Sequence, residues 1–194
     1  MDNKSINFFR EKAYHFYPKG KDFHVNEEAY KASEEHKNFL RTIASNKNMF
    51  DQNSIFGRIN FNEEILIRDY SQTKLGDRCL NIQAIRKHDD FFVSLCFNIS
   101  LLIPFYCTYF LKTHIDGNSI GWKGPPKIFE PEKQDCLNTI LKIGEIQLQS
   151  QLTYNRFPFS ISSEIIPDLS YYDIRHNNLT YFNAFFLNTY YTRL

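Results

Sequence analysis

The chain carries almost no net charge, a single tryptophan, two methionines, no paired cysteines and no glycine-rich phosphate signature. Each shortage excludes a class of protein. Lys and Arg number 23 against 22 Asp and Glu, a formal net charge of +1, so no global field draws the chain to nucleic acid or to an anionic membrane. Cys79, Cys96, Cys107 and Cys136 are widely spaced, without a C-x-x-C pair or the density of a disulfide scaffold. Three of them fall in periodic apolar segments, where a thiol behaves as a small hydrophobe. None of the six histidines has a second His or Cys at the short spacings of zinc sites, so no metal is expected. There is no G-x-x-x-x-G-K-[ST], no G-x-G-x-x-G and no G-x-S-x-G, and no cofactor is expected. Met1-Asp2-Asn3-Lys4-Ser5 shows no apolar leader core, so a reducing, cytoplasmic location is the expectation.

What the chain does have is rings. Aromatics make up 16% of its 194 residues, with 19 Phe and 12 Tyr, enough to fill a core and leave tyrosines at its rim or in a contact surface. It also has one long apolar run, the 21 residues between Asp90 and Lys112, without a formal charge. Length alone permits a membrane helix, which needs about 20 apolar residues. The pattern does not. Val93, Leu95, Phe97, Ile99, Leu101, Ile103 and Phe105 take the odd positions, and Ser94, Cys96, Asn98 and Ser100 take even ones, the period of a half-buried strand. Pro104 interrupts the run, so the spacing predicts a bend there and a further strand ending near Ile115. No membrane partner is expected.

The first 50 residues read as two helices. Ile6, Phe9, Ala13 and Phe16 define one, stopped by Pro18-Lys19-Gly20. Asn26 caps the other, which Phe39, Leu40, Ile43 and Ala44 extend to about Asn46. From residue 59 to 115 the period is two: Ile59, Phe61, Ile65 and Ile67 mark a first strand, and Leu80, Ile82 and Ala84 a second. Residues 116–130, with three glycines and two prolines around Trp122, read as a loop. Residues 131–152 read as an amphipathic helix on Leu137, Ile140, Leu141, Gly144, Leu148 and Leu152. Residues 153–194 read as an irregular segment and a final strand over Leu179 to Leu187, apolar on both faces. The expectation is a single α+β domain over 1–194. It has an antiparallel-dominated sheet of about 4–6 strands, two N-terminal helices, and one long helix before the last strand.

Chemistry-bearing residues are sparse. On a strand, His114 and Asp116 point the same way, so the carboxylate orients the imidazole for general base work beside the glycine-rich loop; equally, they are two polar residues entering an Asp116-Gly117 turn. The pair supports an alternative reading as a small hydrolase or transferase. Glu63 and Glu64 alternate across a strand, so they cannot share a substrate. Cys136 lies near a helix start, but Glu132 and Asp135 oppose a lowered thiol pKa. Interface anchors are easier to find. Trp122 and Lys123 stand in the long loop, and Tyr171, Tyr172 and Asp173 follow Pro167-Asp168. Such aromatics dominate interface energetics, although the same residues also suit a core.

Ile166-Pro167-Asp168, then Tyr172-Asp173-Ile174, then Leu179-Thr180-Tyr181-Phe182-Asn183-Ala184-Phe185-Phe186 resembles the C-terminal portion of small bacterial immunity proteins from polymorphic-toxin loci. The likeness covers roughly the last 30 residues and contains no catalytic motif. It implies a compact cytoplasmic domain that blocks a cognate toxin by binding it, and it assigns no contact residue. The sequence therefore leads to a non-enzymatic protein-binding domain whose partner is another protein, with Trp122, Lys123, Tyr171, Tyr172 and Asp173 as the candidate contact residues.

Overall fold

The computed structural model describes residues 3–47, 65–73, 77–114, 127–129 and 136–187. It is an α+β domain in which helical layers cover both faces of a mostly antiparallel sheet. Helix α1 (Asn3–Phe16) ends where expected, and Gly20 adopts φ +71°, turning the chain back. The second expected helix is two. Helix α2 (Glu27–Lys31) starts on Asn26, whose side chain accepts from the Ala29 amide. Helix α3 (Glu34–Lys47) begins afresh after Ser33. The Ser33 hydroxyl donates to the Tyr30 carbonyl at 2.7 Å and accepts from the His36 amide at 3.2 Å. A serine bonded to its own backbone in this way ends one helix and caps the next.

Strands β1 (Ile65–Asp69), β2 (Cys79–Lys87), β3 (Phe91–Ser100) and β4 (Phe105–His114) form an antiparallel meander. The apolar run thus splits at Pro104 into the two central strands, and no helix among the described residues is long and apolar enough to cross a membrane. Strand β5 (Lys127–Phe129) pairs antiparallel with residues 110–112 of β4. Strand β6 (Asn155–Arg156) pairs parallel with residues 105–106 of β4. Both lie along the β4 edge that does not face β3. The expected 116–130 loop therefore contains a strand at its far end. The expected start of the first strand at Ile59 and of the long helix at 131 lie outside the described residues, where Glu63, Glu64, Glu132 and Asp135 also fall. The helix is seen as α4, Cys136–Leu152.

Val93, Leu95, Phe97 and Ile99 pack with Leu80, Ile82, Ala84, Tyr106 and Phe110 beneath Leu137, Ile140 and Leu148 of α4. The opposite face carries Cys79, Cys96, Cys107, Tyr109 and Leu111 under α1, α3 and the C-terminal segment. β3 is consequently buried on both sides, not half-buried: Ser94, Cys96, Asn98 and Ser100 are as hidden as their apolar neighbours. These small polar groups work inside the core. The Ser100 hydroxyl accepts from the Leu102 and Ile103 amides at 3.2 and 3.3 Å, shaping the turn into β4. All four cysteines remain thiols, and burial raises Cys79 and Cys96 well above the ordinary thiol value.

The final expected strand is a helix. α5 (Tyr181–Phe185) is capped by Thr180, whose hydroxyl accepts from the Asn183 amide at 3.2 Å, and all five of its residues are buried. A short, uniformly apolar run carries no period to separate strand from helix; the cap decides it. α5 packs against α1, and the Tyr17 hydroxyl donates to the Ala184 carbonyl.

Candidate functional site

Between Ile165 and Thr180, which form an antiparallel bridge, the chain makes a closed loop with its own interior. The Ile166 amide donates to the Leu179 carbonyl at 2.8 Å, and Ile166, Leu169, Tyr171, Ile174 and Leu179 are buried. Compact surface loops with joined ends and a packed interior are frequent functional sites. Near the tip, Tyr171 and Ile174 exchange amide-to-carbonyl bonds of 3.0 and 2.9 Å, leaving Tyr172 and Asp173 as the two turn residues.

Three of the four non-glycine residues with positive φ among the described residues lie in this loop: Asp168 at +61°, Tyr172 at +49° and Asn177 at +61°. Asp and Asn tolerate the left-handed region because their short polar side chains bond locally, as Asn177 Oδ1 does in accepting from the Asp168 amide at 2.8 Å. Tyrosine gains no such help, so Tyr172 stores strain.

The N-terminal segment holds the loop in that shape. The Gly20 amide donates to the Asp168 carbonyl at 2.9 Å, the Phe23 amide to the Ser170 hydroxyl at 2.8 Å, and the Tyr30 hydroxyl to the Ser170 carbonyl at 2.7 Å. Desolvation comes first among the causes that raise the Tyr30 phenol, so it stays a donor. The Tyr172 ring lies nearly parallel to Phe23, with centroids 5.0 Å apart and planes 20° apart. It is 41% exposed, and Val25 on the same N-terminal segment is 83% exposed. Asp173, His24 and the Lys31–Glu27 ion pair are exposed on these segments. The result is an exposed Tyr172 ring, backed by Phe23, with both signs of charge on the flanking segments.

Of the expected contact residues, Tyr172 and Asp173 stand together at the tip. Tyr171 does not belong with them: it is 1% exposed, edge-on to Tyr17 at 5.5 Å and against Phe39 at 5.2 Å. In this turn neighbouring side chains part, one to the core and one to the surface. Burial pushes the Tyr171 phenol up to about 12. Trp122 and Lys123 lie outside the described residues. So does Asp116, while His114 is exposed at the end of β4, its ring 6.0 Å from Phe91. Phe91 also carries His88 at 4.4 Å and the Lys112 ammonium at 3.9 Å. Cys136 accepts from Arg86 at 3.6 Å.

Sequence reasoning missed Phe23, Val25 and Arg78. An apolar pair flanking a histidine immediately before the Asn26 cap was the available signal for the first two. Arg78, whose guanidinium lies 4.7 Å from the Tyr171 ring centre, carries no sequence mark of burial. Among the described residues no group of three or more His, Cys, Asp or Glu side chains is placed to hold a metal ion. No protein-family model, no curated protein and no solved structure matches this chain.

Proposed function

We propose that this protein is a non-enzymatic binding domain, an immunity protein of a bacterial polymorphic-toxin system that neutralises its cognate toxin by direct contact in the cytoplasm. The observation that carries the reading is Tyr172: a large aromatic held in the left-handed region, stacked on Phe23 and exposed at a loop tip. Strain in a bulky residue persists only where its surroundings over-determine it, and such places cluster at binding sites. A ring fixed before encounter loses little freedom on binding, which favours affinity. Asp173, Glu27 and Lys31 supply charge around the ring, the arrangement of an interface anchor and its border. Inhibition of an enzyme by occlusion takes an interface of about 1,200–2,000 Å², so the tip is its centre and not its whole extent.

The test is growth rescue. The product of the neighbouring coding region is expressed alone and together with this chain, as wild type and as Tyr172→Asn, a residue that tolerates the left-handed backbone. Rescue by wild type and weakened rescue by a folded Tyr172→Asn support the reading. Growth arrest that persists with equimolar wild type sinks it, and equal rescue by both removes Tyr172 from the interface.

A further inference from the structure

Arg78 is the largest side chain with no exposure to solvent among the described residues. It stands at the entrance to β2, where its backbone joins three segments: its amide donates to the Phe186 carbonyl at 3.2 Å, and its carbonyl accepts from the Leu101 amide at 2.8 Å. Its guanidinium carbon lies 4.7 Å from the centre of the Tyr171 ring, so its charge acts directly on the Tyr171 phenol. That ring is also fixed by Tyr17, Phe39 and, at 4.9 Å, Tyr172.

A guanidinium stripped of water is an expensive way to fill a core, and apolar side chains of similar volume often fill the space better. Its use here is to specify one arrangement. The left-handed Tyr172 needs both flanks fixed if it is not to relax. Phe23 fixes one flank. The other is Tyr171, whose phenol ring is engaged by Arg78.

We infer that Arg78 is a positioning residue for the binding tip: acting through Tyr171 from inside the core, it holds the 171–174 turn in the shape that projects Tyr172. Its importance for binding rests on the proposed function. The mechanical coupling does not, and is measured without any partner.

The experiment is amide hydrogen exchange on the full chain as wild type, Arg78→Met and Tyr171→Phe, the last keeping the ring and removing only the hydroxyl. The paired amides of Tyr171 and Ile174 are compared with those of Leu95 and Phe97 in β3. In both variants exchange at 171 and 174 is expected to accelerate about tenfold or more, as for weakening of one desolvated contact between a cation and an aromatic ring, while Leu95 and Phe97 change by less than about threefold. Unchanged exchange at 171 and 174 overturns the inference. So does equal acceleration at all four amides, which makes Arg78 a general stabiliser. If Arg78→Met does not fold, Tyr171→Phe decides by the same comparison. Selective loosening of the turn in a protein that rescues no toxin retires the immunity reading and leaves the positioning role standing.

Discussion

Glycine and alanine at position 172 should rank in the opposite order from the one they show in ordinary backbone. With 41% of Tyr172 exposed, roughly 60% of a tyrosine's ~200 Å² is covered, worth up to about 3 kcal/mol at ~25 cal/mol per Å². Both Tyr172→Ala and Tyr172→Gly forfeit this, along with the stack on Phe23. They differ in backbone alone. Alanine keeps the cost of φ +49°, about 1 kcal/mol or more, whereas glycine is released from it. Tyr172→Ala should therefore lose about 2–4 kcal/mol, and Tyr172→Gly about 1 kcal/mol less, a gap of roughly 2–4 °C in Tm for a chain of this size. In an ordinary turn or strand, glycine is the worse residue by about 0.5–1 kcal/mol. Urea midpoints with a common slope give the comparison directly. A glycine variant no more stable than the alanine variant refutes the strained tip, and with it the argument that the anchor is fixed in advance.

Tyr17→Phe removes a buried hydroxyl that donates to the Ala184 carbonyl and leaves that carbonyl without its donor; a loss of about 1–3 kcal/mol in urea unfolding is expected, and a loss below about 0.5 kcal/mol argues against the α1–α5 contact. His36 is 6% exposed and stacked on Phe39 with ring centroids 5.7 Å apart. Burial first, and the Lys31 ammonium second, hold it below the ordinary imidazole value of 6.5. The folded protein refuses a proton that the unfolded chain accepts, so this contribution is fully present above pH 6.5 and is lost as pH falls from there towards the folded value, with a slope of at most about 1.4 kcal/mol per pH unit. His36→Phe should flatten that slope; parallel wild-type and variant curves from pH 7 to pH 5 would show that His36 is not the cause.

The strands were legible because alternation survives in the amino acids: odd-numbered Val93 to Ile99 give one face wherever the chain is placed. What alternation cannot report is a second cover. Ser94, Cys96, Asn98 and Ser100 look like a solvent face until α1, α3 and the C-terminal segment arrive from far along the chain and bury them. The break at Ser33 and the helix at Tyr181 turned on single hydroxyl caps, local signals that a long apolar period or a run of rings outweighed. At the candidate site, composition pointed to Tyr172 and Asp173 but not to the parting of Tyr171 from Tyr172, which a backbone twist at one residue decides. Phe23 and Arg78 belong to the site through contacts across roughly 150 and 90 residues of chain, a separation that spacing rules do not span.

The bond from Tyr17 to Ala184 spans 167 positions, and that has a consequence during synthesis. At about 5–20 residues per second, Phe9, Phe16 and Tyr17 leave the ribosome roughly 10–30 s before the segment that shelters them. For that interval the nascent chain displays a sticky aromatic stripe, so chaperones that meet it at the ribosome and the pace of synthesis should govern its yield more than the stability of the finished molecule does.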